Sequence, residues 1–183
     1  MYLPDLDMLV IEVPRTGMRS LERSLQGHYK KTHVGHYTAS RFIRNAKHVP
    51  QKIVAVIRDP LDRLLSAVNF ACRSLDDVTD KFTNLISNGW DTSVIAPTSQ
   101  DELHYVFCPQ TAYLDENKNY DLIPFLQMQK LYDLFPSPIK PLHTNKSTKW
   151  MSLEQLKSHK MFQDVMNMYS QDILLYSKLT PQP

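Results

Sequence analysis

The residues best suited to chemistry are two short cationic clusters with a pair of histidines between them. The first cluster is Pro14-Arg15-Thr16-Gly17-Met18-Arg19-Ser20. Arg15 and Arg19 bring fixed positive charge, Thr16 and Ser20 bring hydroxyl donors, and Gly17 lets the backbone come close to a bound anion. The cluster follows an apolar run and opens a helix, whose unpaired N–H groups favour phosphate. The second cluster, residues 58–66 (RDPLDRLLS), has the form R-x-P-x-x-R-x-x-S. There Arg58 ends an apolar run, so its guanidinium and a hydroxyl such as Ser66 can share one phosphate through directional bonds. Arg63 and Ser66 stand three apart, which places them on the helix face opposite Leu61, Leu64, Leu65 and Val68. Each cluster alone also reads as a capped helix with surface arginines. Both stand where an apolar run hands over to a helix, which makes the two worth reading together.

His33 and His36 lie between the clusters in residues 30–42 (KKTHVGHYTASRF). An imidazole near its ordinary pKa can take a proton from an acceptor hydroxyl at neutral pH. The same pair could ligate a metal, but no third and fourth ligand stand nearby in sequence. A hydrogen-bonded structural role is the other reading of His33. Glu12, just before the first cluster, is a further candidate base.

These residues need elements to hold them. Residues 8–13 (MLVIEV) and 52–57 (KIVAVI) read as buried strands. A helix follows the first strand to about residue 26, where Gly27 closes it. Thr38 caps a second helix, with Ala39, Phe42, Ile43 and Ala46 on one face. Asp59 caps a third helix and Pro60 is its first residue. Further expected elements are a helix over 76–87, irregular chain over 88–109, a strand over 121–126 and a helix to 135. The tail over 161–178 is amphipathic, with Phe162, Val165, Met166, Tyr169 and Ile173 facing inward. Strands alternating with helices imply one α/β domain over 1–183, built on a mainly parallel sheet. Ligands in such sheets sit beyond the carboxyl ends of the strands, where both clusters fall.

The first cluster resembles the 5′-phosphosulfate loop of sulfotransferases, P-K-T-G-x-T-S, through Pro14, Thr16, Gly17 and Ser20; Arg15 takes the lysine place and Arg19 a threonine place. The second resembles the family's 3′-phosphate signature, for which relatives use the Arg58 and Ser66 positions. Residues 109–114 (PQTAYL), 142–149 (LHTNKSTK) and 169–176 (YSQDILLY) resemble later segments of carbohydrate sulfotransferases. The resemblance implies a P-loop-like three-layer fold, with 3′-phosphoadenosine 5′-phosphosulfate (PAPS) as donor and PAP as product. It implies cofactor contacts from Arg15, Thr16, Gly17, Met18, Arg19, Ser20, Arg58, Ser66, Asn145, Ser147 and Lys149. It also implies His36 as base, with Arg15 acting on the leaving group, and His33 and Gln110 near an acceptor, foremost a glycan hydroxyl. No metal is required.

Composition narrows the partners. The chain of 183 residues carries a net charge of +2. Residues 1–66 hold 11 Lys/Arg against 6 Asp/Glu, which suits a phosphate-rich ligand. Two cysteines, Cys72 and Cys108, are too few for a disulfide framework and suggest the cytoplasm. No apolar run reaches the roughly 18 residues of a membrane span, and the first residues lack a signal-peptide pattern. An irregular P-loop kinase, without G-x-x-x-x-G-K-S/T, and a nucleic-acid-binding domain are weaker alternatives. A non-catalytic PAPS- or PAP-binding module is the stronger one. A homodimer that completes the acceptor cleft is compatible with the short chain.

Overall fold

The two apolar runs pair side by side at the middle of one sheet. The computed structural model describes residues 1–89, 105–142 and 149–180. Strands β1 (Tyr2–Leu3), β2 (Met8–Ile11), β3 (Lys52–Ile57) and β4 (Asp121–Pro124) stand in the order β1-β2-β3-β4. β2, β3 and β4 run parallel, and β1 joins β2 antiparallel. The helices are α1 (Met18–Ser24), α2 (Ala39–Ala46), α3 (Pro60–Ala71), α4 (Leu75–Asn88), α5 (Gln129–Tyr132), α6 (Leu153–Lys157), α7 (Phe162–Met168) and α8 (Ser170–Leu179). The chain is an α/β protein with an open, mostly parallel four-stranded sheet flanked by helices. No helix among the described residues is long and apolar enough to cross a membrane.

Strands that are apolar on both sides need cover on both faces. Val10, Val54, Val56 and Ile123 pack with Leu21 of α1 and with Leu131 and Tyr132 of α5. On the opposite pleat, Leu9, Ile11, Ile53, Ala55 and Ile57 pack with Phe42 of α2 and with Leu175 and Tyr176 of α8. A third cluster joins α3, α4, α6 and α7 through Leu64, Phe82, Leu156 and Val165. The starts of several helices are capped as the sequence implies. Thr38 accepts from Arg41 N, and Asp59 accepts from Asp62 N ahead of Pro60.

Four local expectations change. β2 stops at Ile11, where Val13 N bonds back to Ile11 O at 3.0 Å. β4 stops at Pro124 and hands over to a 3-10 turn at Phe125–Gln127, so the helix that follows is only α5. The amphipathic tail forms two helices that meet at Tyr169, and its inward set changes. Asp172 of α8 is fully buried, whereas Ile173 is 44% exposed. Arg63 does not share an outer face with Ser66 but is fully buried.

Arg63 and Asp172 are inside because a short 3-10 turn at 105–107 and the loop after it are inside with them. Buried carbonyl and N–H groups outside regular structure need side-chain partners. Tyr105 O accepts from Tyr113 Oη at 2.8 Å, and Val106 O accepts from Arg63 Nη1 at 3.0 Å. Phe107 O accepts from Tyr169 Oη, and Cys108 O accepts from Arg63 Nη2. Four consecutive carbonyls are thereby satisfied by side chains from α3, from the α7–α8 junction and from residue 113.

Candidate functional site

A cleft of about 1640 Å³ opens beyond the carboxyl ends of the parallel strands. Arg15, Gly17, Met18, Arg19 and Ser20 line it from the first cluster, and Arg58 and Ser66 from the second. His33, His36 and Lys149 line it too. Asn145 and Ser147 lie outside the described residues.

The two clusters interlock. Arg15 Nε donates to Ser66 Oγ at 3.1 Å, and the Arg15 guanidinium lies 4.5 Å over the Phe70 ring. Arg58 Nη1 donates to Arg15 O at 3.2 Å, and its guanidinium lies 4.9 Å over the Phe125 ring. A hydroxyl that accepts from Arg15 keeps its own proton to donate elsewhere. Arg15 sits in the left-handed region with φ of 67°, uncommon for a residue with a side chain. Among the described residues, neither guanidinium forms an ion pair with a carboxylate. Burial, then the charges of Arg58 and Arg19, push the Arg15 pKa down. Burial also lowers Arg58, partly offset by Asp62 and Asp59. Arginine stays charged through such shifts, so the site holds two cations short of counter-charge.

The first loop divides its residues between cleft and core. Gly17 has φ of 85°, and a Cβ there would come 3.1 Å from Phe125 Cε2. Both facts call for glycine. Thr16, expected to offer a hydroxyl to the ligand, instead is fully buried and donates to Val13 O at 2.7 Å. It ties the loop together, while Met18, the first residue of α1, packs its side chain into the core. Arg19 is exposed at the rim, as is Lys149.

His36 bonds through Nδ1 to the main-chain oxygen of Glu12 at 2.5 Å. A carbonyl only accepts, so Nδ1 carries the proton and Nε2 keeps its lone pair. Its ring packs against Tyr105, with centroids 4.7 Å apart. Burial pushes the His36 pKa down; the bond to Glu12 O and the Glu12 charge pull it partway back. His33 is different, being largely exposed with Nδ1 3.2 Å from Glu12 Oε1. That carboxylate is buried and also pairs with the first amino group of the chain at 2.7 Å. No group of three or more His, Cys, Asp or Glu side chains fit to hold a metal occurs among the described residues.

Gln110 departs most from expectation. Rather than facing an acceptor, it is fully buried with its amide on the Arg58 main chain. Asp172, met in the sequence only within the 169–176 segment, and Asn69, given no role there, are further buried polar residues. Asn69 bonds Leu65 O, Met151 O, Trp150 N and Met151 N, anchoring the chain next to Lys149. Phe125 was findable, since it follows a strand at the carboxyl edge where ligands sit. Comparison with family models, curated proteins and solved structures found no match for this chain.

Proposed function

We propose that the protein is a sulfotransferase that uses PAPS to modify an acceptor hydroxyl, within a P-loop-like cleft. The interlock of Arg15, Ser66 and Arg58 carries this reading. It gathers two under-compensated cations and a hydroxyl in one pocket beside the Gly17 turn. Bound PAPS supplies the sulfuryl group, and negative charge grows on its 5′-phosphate as the S–O bond opens. Arg15 favours the developing charge more than the ground state, because it is preorganised and partly desolvated. Arg58 and Ser66 hold the 3′-phosphate, while Arg15 reaches the phosphosulfate end with the backbone around Gly17. His36 Nε2 takes the acceptor proton. The cleft volume exceeds the roughly 300–1,000 Å³ of ordinary ligand pockets, which leaves room for an acceptor beside the nucleotide. A sugar hydroxyl is the favoured acceptor, and a chain with only two cysteines suits a cytoplasmic setting.

A second reading, a module that binds PAPS or PAP without turnover, draws on the Arg15 geometry. Its guanidinium is turned to Ser66, at the place where the resembling loops carry lysine. Turnover of labelled PAPS in the presence of glycan acceptors separates the two readings. The donor itself is tested by calorimetry with PAP against AMP. PAP should bind about 10- to 100-fold tighter, the value of one or two charge-assisted bonds. Arg58→Ala should erase that preference. Equal affinity of the unaltered protein for both nucleotides overturns the proposal.

A further inference from the structure

We propose that Gln110 and Asp172 are positioning residues that aim Arg58 at the 3′-phosphate. This rests on the donor reading above. The argument begins at the end of β3. Ile57 pairs with Pro124, the last residue of β4, after which the neighbouring chain turns away into the 3-10 turn. Arg58 is therefore one residue past its strand partner, at the point where its side chain must be aimed most accurately. Gln110 supplies what the sheet does not. Its Oε1 accepts from Arg58 N at 2.8 Å, and its Nε2 donates to Arg58 O at 2.8 Å. One side-chain amide thereby takes the place of a strand residue.

The amide is set in turn from α8. Asp172 Oδ2 accepts from Gln110 N at 2.7 Å. Asp172 Oδ1 accepts from Thr111 N at 2.9 Å and from Thr111 Oγ1 at 2.8 Å. Three donors converge on one carboxylate, and both Asp172 and Gln110 are fully buried. An ionised carboxylate suits three donors because it carries none of its own. A chain of hydrogen bonds thus runs from α8 through residue 110 to the Arg58 main chain. Its far end is the guanidinium, steered by its bond to Arg15 O and by the Phe125 ring. Bidentate phosphate recognition depends on that orientation.

The test uses the full chain and calorimetry with PAP and AMP. Gln110→Met removes both bonds to Arg58 at similar volume, and Asp172→Asn turns one acceptor into a donor facing donors. Each should lower PAP affinity about tenfold, the loss of one or two hydrogen bonds to a positioned group, and leave AMP affinity nearly unchanged. Combined with Arg58→Ala, neither should lower PAP affinity further, since the effect passes through Arg58. Thermal unfolding verifies that each variant is folded; if Gln110→Met is not, Asp172→Asn carries the comparison. A full PAP preference in folded variants overturns the inference and leaves the donor reading standing. So does an equal loss with or without Arg58, which marks a general structural defect. Failure of the unaltered protein to distinguish PAP from AMP overturns both.

Discussion

His36 shows how far one residue's surroundings set its chemistry. A base works when neutral, and burial lowers the imidazole pKa from its ordinary value near 6.5. Below its pKa the ring is protonated and cannot accept; above it the ring is ready. In the proposed role of base, a lowered pKa therefore extends activity toward acid. The acid limb of kcat/KM should have its midpoint below about 6.5. His36→Ala should lose that limb and reduce turnover about 100-fold or more. A limb unchanged in His36→Ala assigns the proton to another group. The residues of this site were unequally legible in the sequence. Arg58, Ser66 and Gly17 stand in short runs whose spacing carries meaning. Gln110 lies 52 positions from Arg58, and Asp172 lies 62 from Gln110, so only the folded chain joins them. The direction of the Thr16 hydroxyl is hidden for a related reason, since a hydroxyl near a ligand loop says nothing in sequence about which way it turns.

At the scale of elements, local signals served well and long-range ones did not. β3 and the capped start of α3 follow from a continuous apolar run, Asp59 and Pro60. In the tail, apolar residues recur at helical spacing through Tyr169, so its amphipathic pattern gives no sign of a break there. What breaks it is the demand of another segment: Tyr169 turns its hydroxyl to Phe107 O. Arg63 was read as a surface residue because charge usually stays outside, yet two buried carbonyls require it. Tyr169→Phe removes the donor and leaves Phe107 O unpaired inside the protein. It should destabilise the fold by about 1–3 kcal/mol, read as a lower denaturant midpoint with unchanged slope. An unchanged midpoint means that the hydroxyl adds nothing to stability.

For the molecule as a whole, the sheet divides the labour. Both faces of β2 and β3 are buried under helices, and only their carboxyl ends reach the cleft. The basic character of residues 1–66 is focused there by Arg15, Arg19 and Arg58. Binding that engages β2, β3 and α3 together should stabilise the entire domain. At a concentration 100 times its Kd, PAP should add about 2.7 kcal/mol. For a chain of this size that is a rise in Tm of roughly 5–10 °C. A midpoint unmoved by saturating PAP would mean that the cleft does not grip the nucleotide in the folded state.

The ladder of carbonyls at 105–108 carries a consequence for synthesis. Its donors come from Arg63, Tyr113 and Tyr169, and the grip on Arg58 waits for Asp172 beyond them. A nascent chain halted before residue 169 would hold every arginine of the cleft and still lack the clamp that trains Arg58 on its target. In the proposed scheme, the grip on the 3′-phosphate is thus complete only once α8 has been made.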